Sequence, residues 1–190
     1  MPFEGLTVIM PLVTDLSAMY HALKQVVPPE IHSLLSYESL HVTFTGIKCR
    51  SHFKNCEKYN EFLGEKLKDL EALKMELSNY QAKQSNLLLA FEMKHPVDAS
   101  HMPQITVHLK PAHETTTLHL ASIAECCQRH LGNKLFRPSR HHLSLAYRVP
   151  NSAELTPAQQ TLIAQAINSH LEGKVLHFGR AQLCKFSDMC

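Results

Sequence analysis

No apolar run in the 190-residue chain approaches the ~18 residues needed to cross a bilayer, so no membrane span is expected. The N-terminus lacks the basic-then-apolar order of a secretory leader. A secretion signal read by a dedicated machine, as an effector would carry, would leave no trace at this level. An excess of one charge is missing too: 19 Lys and Arg stand against 17 Asp and Glu, a net +2 with neutral histidines. That is too mild for a protein that grips a duplex, so duplex DNA is not an expected partner. The six cysteines (Cys49, Cys56, Cys126, Cys127, Cys184, Cys190) contain no C-x-x-C pair. They read as reduced thiols in a cytoplasmic protein, not as a disulfide framework. There is no H-E-x-x-H, and His95, His101, His108, His113, His119 and His130 match no standard ligand spacing, so neither a metal nor a cofactor is expected. What is left is ordinary globular composition, 44% hydrophobic and 19% charged, in a chain of one domain or one bilobal domain.

Two short stretches carry the chemical signal: His41-Val42-Thr43-Phe44 and His142-Leu143-Ser144-Leu145. Each sets a histidine two residues before a hydroxyl. On a strand, alternate side chains share a face, so His41 and Thr43 point one way while Leu40, Val42 and Phe44 point into a core. His142 and Ser144 repeat this against Leu143 and Leu145. One His-x-Ser/Thr alone carries little information, and a third occurs at His113-Glu114-Thr115. That one follows Pro111 and leads into Thr115-Thr116-Thr117-Leu118, which reads as a helix start. The other two each lie in an alternating apolar strand, one per half of the chain. Side by side, such strands would put two imidazoles and two hydroxyls around one small anion.

The pair of motifs resembles the signature of the two-histidine (2H) phosphoesterase superfamily. The continuation His142-Leu143-Ser144-Leu145-Ala146-Tyr147 is most similar to the cyclic phosphodiesterase branch, in which a tyrosine at that position lines the site. The resemblance covers the whole chain in layout and only the two motifs in residue detail. It implies a bilobal α+β domain over 1–190, with two mixed or antiparallel sheets facing a central cleft, helices outside and one motif strand per lobe.

The rest of the chain agrees with that layout. Strands are expected at Leu6 to Leu12, Ser39 to Thr45, Leu73 to Tyr80, Leu87 to Met93, Gln104 to Leu109, His141 to Val149 and Lys174 to Phe186. The third and fourth of these are expected to form a hairpin across 81–86. Helices are expected after Thr14 or Asp15, up to Pro28-Pro29; after Ser51 or Asn55; over His113 to Leu131, stopped by Gly132-Asn133; and from Thr156-Pro157. Alternating helices and hairpin signals argue for α+β with largely antiparallel pairing.

The chemistry follows from the residues. Opening a 2′,3′-cyclic phosphate needs a base for the attacking water and an acid for the departing oxygen. One neutral and one protonated histidine supply both. Thr43 and Ser144 can donate to the non-bridging oxygens, and no metal is needed in that scheme. The resemblance implies the same four roles, and a 2′-phosphate product. Tyr147 faces away by strict alternation, and a bulge would return it to the cleft. Arg137, Arg140 and Arg148 flank the second motif and could hold a second phosphate or a base. Tyr37 and Phe44 are candidates for base stacking, with core packing favoured for Phe44. The expected partner is a small cyclic nucleotide, ADP-ribose cyclic phosphate or an RNA 2′,3′-cyclic end, met by a monomer away from membranes. A 2′,5′-phosphodiesterase, an RNA-ligase-like enzyme and a non-catalytic RNA-end or nucleotide binding module are the competing possibilities.

Overall fold

The structure, a computed structural model, describes residues 4–84, 87–98, 104–135 and 140–187. Eight strands and four helices follow one another as β1 (Glu4–Pro11), α1 (Ser17–Val26), β2 (His32–Leu34), β3 (His41–Cys49), α2 (Cys56–Ala82), β4 (Leu89–Met93), β5 (Gln104–Pro111), α3 (Glu114–Leu135), β6 (His142–Arg148), α4 (Pro157–Leu171), β7 (Val175–Phe178) and β8 (Gln182–Ser187). The fold class is α+β, as expected. Where two sheets were expected, the strands form a single antiparallel path, β7-β4-β5-β6-β3-β1-β8, with β2 paired to β6. The path curls. Leu12 bridges Phe178, the Val13 N–H donates to the His177 carbonyl at 2.9 Å and the Gly179 N–H donates to the Pro11 carbonyl at 2.7 Å. These bonds bring the end of β1 onto β7 and roll the sheet into a half-barrel.

Alternation sorts the sheet into two faces. Val8 and Met10 of β1, Val42 of β3, Ile105 and Val107 of β5, and Leu143 and Leu145 of β6 are fully buried. They join Met19 and Leu23 of α1, Leu73 and Leu77 of α2, Ile123 and Cys127 of α3 and Ile163 and Ile167 of α4 in one core. The intervening residues, including His41, Thr43, His108 and His142, lie on the opposite face.

Helix ends follow local chemistry. Asn55 caps α2 by accepting from the Lys58 N–H at 3.0 Å. Thr156 and Gln159 cap α4 reciprocally, with Pro157 in the first turn. Asp15 accepts the Ser17 N–H at 2.8 Å at the start of α1, and that bond holds its carboxyl below the usual carboxylate range. In α3 the expected stop at Gly132 is a break in the helix, where the glycine adopts φ 66°.

Two expected elements are corrected. Residues Leu73 to Tyr80 are helix, not strand, and the hairpin across 81–86 does not form, because α2 runs on through Ala82. Leu73, Met75 and Leu77 suggested alternation, yet Met75 is 65% exposed while Leu70, Leu73, Leu77 and Gln81 are buried. That three-and-four spacing is helical. The Gln81 Nε2 donates to the carbonyls of Leu77 and Ala181, which ties the helix to the start of β8. Lys174 to Phe186, expected as one long strand or a hairpin, holds two strands that do not pair with each other, since β7 pairs with β4 and β8 with β1.

His141 precedes the second motif and packs beside Phe44 and Phe91, at ring distances of 6.3 and 5.2 Å. Its Nδ1 is buried with no hydrogen-bond partner among the described residues. Burial first, and the nearby His142 second, push its protonation below the ordinary value of 6.5. A depressed folded value means that the neutral ring supports the fold. Its contribution is complete above 6.5 and is lost as pH falls from there through the folded value. The urea midpoint should therefore drop as pH is lowered below 6.5, and His141→Phe should flatten that part of the curve. An unchanged slope in the variant would show that His141 is not its source.

Candidate functional site

The two motif strands are neighbours in the sheet. β3 and β6 pair antiparallel at Val42 and Leu143, both fully buried. Continuing that register sets His41 across from Ser144, and Thr43 across from His142, all on the face away from the core. Four polar side chains thus meet at one seam.

The two halves of the sheet repeat one another about this seam. On one side β3 pairs with β1: Pro11 with His41, Met10 with Val42, Ile9 with Thr43, then Val8 with Thr45. On the other side β6 pairs with β5: His108 with His142, Val107 with Leu143, Thr106 with Ser144, then Ile105 with Ala146. Each strand therefore carries an extra residue in the same place, Phe44 in one and Leu145 in the other, directly after the hydroxyl residue. These are β-bulges, a device that re-aims the side chains beyond it. The main-chain bonds before the motifs repeat too. The Leu12 N–H donates to the Leu40 carbonyl and the Leu109 N–H to the His141 carbonyl, both at 2.9 Å.

Each imidazole is held in the same way. His41 Nδ1 lies 2.6 Å from the Ser39 carbonyl oxygen, and His142 Nδ1 lies 2.8 Å from the Arg140 carbonyl oxygen. A carbonyl only accepts, so the proton sits on Nδ1 and donates to it. Nε2 is then left to act on a ligand, as acceptor when the ring is neutral and as donor when it is charged. The Ser39 carbonyl is itself set by a short 3₁₀ turn, Tyr37–Ser39, in which the Ser39 N–H and hydroxyl both donate to the Ser36 carbonyl. Ser144 is only 7% exposed, and Thr43 is half-buried.

The bulge at Leu145 decides where Tyr147 points. Tyr147 pairs with Gln104 of β5 and with Ser33 of β2, both on the site face. It stands on the same side as Ser144 and His142, where unbroken alternation would have turned it inward. The corresponding position in β3 is Gly46, which has open space where a Cβ would be. The repeat is thus symmetric in backbone and asymmetric in side chains.

The surroundings of the two histidines differ further. Beside His41 lies an apolar cavity of about 410 Å³, walled by Ile9, Pro11, Leu34, Leu35 and Phe186, with Glu38 at its rim. The Phe186 ring lies over Gly5, where a Cβ would fall 2.3 Å from it. Beside His142 lies a cavity of about 330 Å³ lined by Lys94, His95, His108, Lys110, Arg140 and His141, among others. The His108 ring stands 6.4 Å from that of His142 and 5.4 Å from that of His95. Burial, and after it the charges of His95, His142, Lys94 and Arg140, push His108 protonation down.

Other expected site residues fall elsewhere. The Tyr37 hydroxyl accepts the Leu16 N–H at 2.8 Å and donates to Asp15 at 2.9 Å, and its ring packs on Tyr20. It fastens the start of α1, and burial pushes its phenol up. The hydroxyl is thus engaged within the fold, so any part Tyr37 plays at the site would fall to its ring. Phe44 is buried, in agreement with core packing. Arg148 donates to the Ser152 carbonyl at 2.8 Å and reaches Glu154, so it serves its own loop. Arg137 lies outside the described residues, as does His101. His113 directly precedes α3, in agreement with its reading as a helix start. No group of three or more His, Cys, Asp or Glu that could hold a metal occurs among the described residues. His119 bonds Tyr80 and His130 pairs with Glu76, both between α2 and α3. Sequence reasoning missed His108 and Lys94, whose spacing from the motifs gives no signal until β5 is laid beside β6. No helix among the described residues is long and apolar enough to cross a membrane.

No family model matches the chain, and no curated protein matches it. Among solved structures the chain is similar to a conserved protein of unknown function from Agrobacterium tumefaciens, at a TM-score of 0.59 and 15% identity, over 100% of this chain and 83% of that one. At that identity the likeness establishes a shared α+β architecture.

Proposed function

We propose that the protein is a metal-independent phosphodiesterase that opens 2′,3′-cyclic phosphates of nucleotides or RNA ends, built as a bilobal two-histidine phosphoesterase whose lobes meet at the β3–β6 seam. The observation that carries this is the matched pair of imidazoles. Each gives its Nδ1 proton to the carbonyl two residues before it, His41 to Ser39 and His142 to Arg140, and each presents Nε2 on the same face of adjacent strands. The resemblance of the two motifs to that superfamily points the same way.

In the reaction, the phosphate sits over the seam. A neutral histidine accepts a proton from water through Nε2 as the water oxygen bonds to phosphorus. The bond from phosphorus to the ribose 3′-oxygen breaks, and the protonated histidine delivers its Nε2 proton to that oxygen. The products are a 2′-phosphate and a free 3′-hydroxyl. One proton is taken up and one given, so the pair finishes with its charges exchanged and resets by solvent exchange. Thr43 and Ser144, diagonal across the seam, donate to the non-bridging oxygens as charge builds there. The Ser144 hydroxyl makes no hydrogen bond with any described residue that would compete. The apolar cavity beside His41 accepts the nucleobase, with the Glu38 carboxylate as an acceptor for its amino group.

His41→Ala and His142→Ala should each lower turnover of adenosine 2′,3′-cyclic phosphate by about 10²- to 10⁴-fold, the usual worth of a positioned acid or base. Ser144→Ala and Thr43→Val should cost about 10²- to 10³-fold or less, with little change in KM. Normal turnover in either histidine variant would end the two-histidine mechanism.

Activity should survive EDTA and follow a bell-shaped pH profile, since one imidazole must be neutral while its partner is charged. The limbs belong to the pair and not to one ring. Loss of activity in chelator, restored by added zinc or manganese, would instead point to a metal-bound nucleophile.

A further inference from the structure

The backbone repeat places Pro11 across from His41 and His108 across from His142, and this difference extends outward into one apolar and one cationic cavity. The apolar cavity has an evident occupant under the reading above, the nucleobase. The cationic one does not, because a nucleoside 2′,3′-cyclic phosphate carries only the charge bound at the seam.

Six basic side chains line the second cavity: Lys94, His95, His108, Lys110, Arg140 and His141. Lys94 is carried there by main-chain pairing, since its N–H donates to the His108 carbonyl at 2.8 Å. Arg140 is fixed through its own carbonyl, which holds His142. Among these, Lys110 is paired with the Glu92 carboxylate at 2.9 Å. Lys94 and Arg140 make no ion pair with any described residue. Neighbouring unpaired cations repel one another, and a bound anion relieves that repulsion. Lys94, His108 and Arg140 line this one cavity, and the His108 ring stands 6.4 Å from that of His142.

We infer that this cavity is a second anion subsite and that the substrate carries a phosphate on its 5′-oxygen. This rests on the proposed cyclic phosphodiesterase reading. The cavity begins one strand spacing from β6, about 5 Å away, and extends toward β4, about 10 Å away. That is the span between the two faces of a single ribose, with the cyclic phosphate at one side and the 5′-oxygen at the other. Lys94 and Arg140 would contact the 5′-phosphate directly, and His108 would donate a hydrogen bond to it from its neutral or charged ring. Two substrates supply this chemistry: a mononucleotide with a terminal 5′-phosphate, and an RNA 3′ end, whose last 5′-oxygen carries an internucleotide diester. The terminal monoester has more charge, and the diester fixes the chain's exit past β4.

The test compares three substrates: adenosine 2′,3′-cyclic phosphate, its 5′-phosphorylated form, and the dinucleotide ApA ending in a 2′,3′-cyclic phosphate. For the wild-type protein, kcat/KM should rise by about 10- to 100-fold on adding the 5′-phosphate, the worth of one or two hydrogen bonds between charged groups. In Lys94→Gln/Arg140→Gln the ratio between phosphorylated and unphosphorylated substrate should fall toward one, mainly through KM. A dinucleotide that shares the advantage identifies an RNA end as the source, and one that does not identifies the terminal monoester. Equal kcat/KM with and without the 5′-phosphate would overturn the inference, as would an unchanged ratio in the double variant. A second measurement separates this from the underlying reading. Adenosine 5′-phosphate binding is titrated calorimetrically against adenosine, in wild type and double variant. If no cyclic phosphate is hydrolysed, the phosphodiesterase proposal fails. The subsite then stands if 5′-phosphate tightens binding in a Lys94- and Arg140-dependent way, and falls if it does not.

Discussion

The site depends on one hydrogen bond made twice: an imidazole Nδ1–H donated to the carbonyl two residues earlier, from His41 to Ser39 and from His142 to Arg140. A free histidine side chain samples rotamers and two tautomers. Either freedom would turn the wrong nitrogen, or none, toward a ligand at the seam. The carbonyl removes both at once, because it accepts from a single nitrogen in a single ring orientation. The main chain that carries each carbonyl is pinned in turn. On the His41 side the Tyr37–Ser39 turn does this, together with the bond from Leu12 to Leu40. On the His142 side the bond from Leu109 to His141 does it.

The sheet turns this local device into a shared one. Antiparallel pairing at Val42 and Leu143 sets the motifs head to tail, so each histidine stands across from the other motif's hydroxyl. The bulges at Phe44 and Leu145 let the strands resume pairing with their outer neighbours while changing which residues face the ligand. Through them Tyr147 reaches the site face on one side, while Gly46 leaves room on the other. A duplicated backbone thereby holds two unlike cavities. That asymmetry would give an elongated ligand a direction across a nearly symmetric pair of histidines.

How much of this was legible beforehand follows from the range of each interaction. The motif histidines and hydroxyls were readable because strand alternation is local, and Val42 and Leu143 announce the buried face. Helix starts at Asn55 and Thr156 were readable because caps act within one turn. Alternation failed where it was judged on too few residues. Leu73, Met75 and Leu77 looked like a strand until Met75 proved exposed and Gln81 buried at the next helical position. The single curled sheet depends on bonds such as Leu12 to Phe178, between residues far apart in the chain, and nothing local encodes them. The anchoring of Tyr37 was hidden for a related reason. Its hydroxyl is engaged by Leu16 and Asp15, a tertiary contact that composition cannot reveal. His108 and Lys94 entered the site only once β5 was seen beside β6.

The central claim is that two Nε2 atoms bracket one phosphorus. A crystal structure of the protein with a nucleoside 2′,3′-cyclic vanadate, whose five-coordinate metal centre mimics the phosphorus in transit, tests it most directly. The account predicts the vanadate over the β3–β6 seam, with His41 and His142 Nε2 on opposite apical oxygens and the Thr43 and Ser144 hydroxyls on the equatorial ones. A vanadate held by one histidine alone, or bound away from the seam, would contradict it.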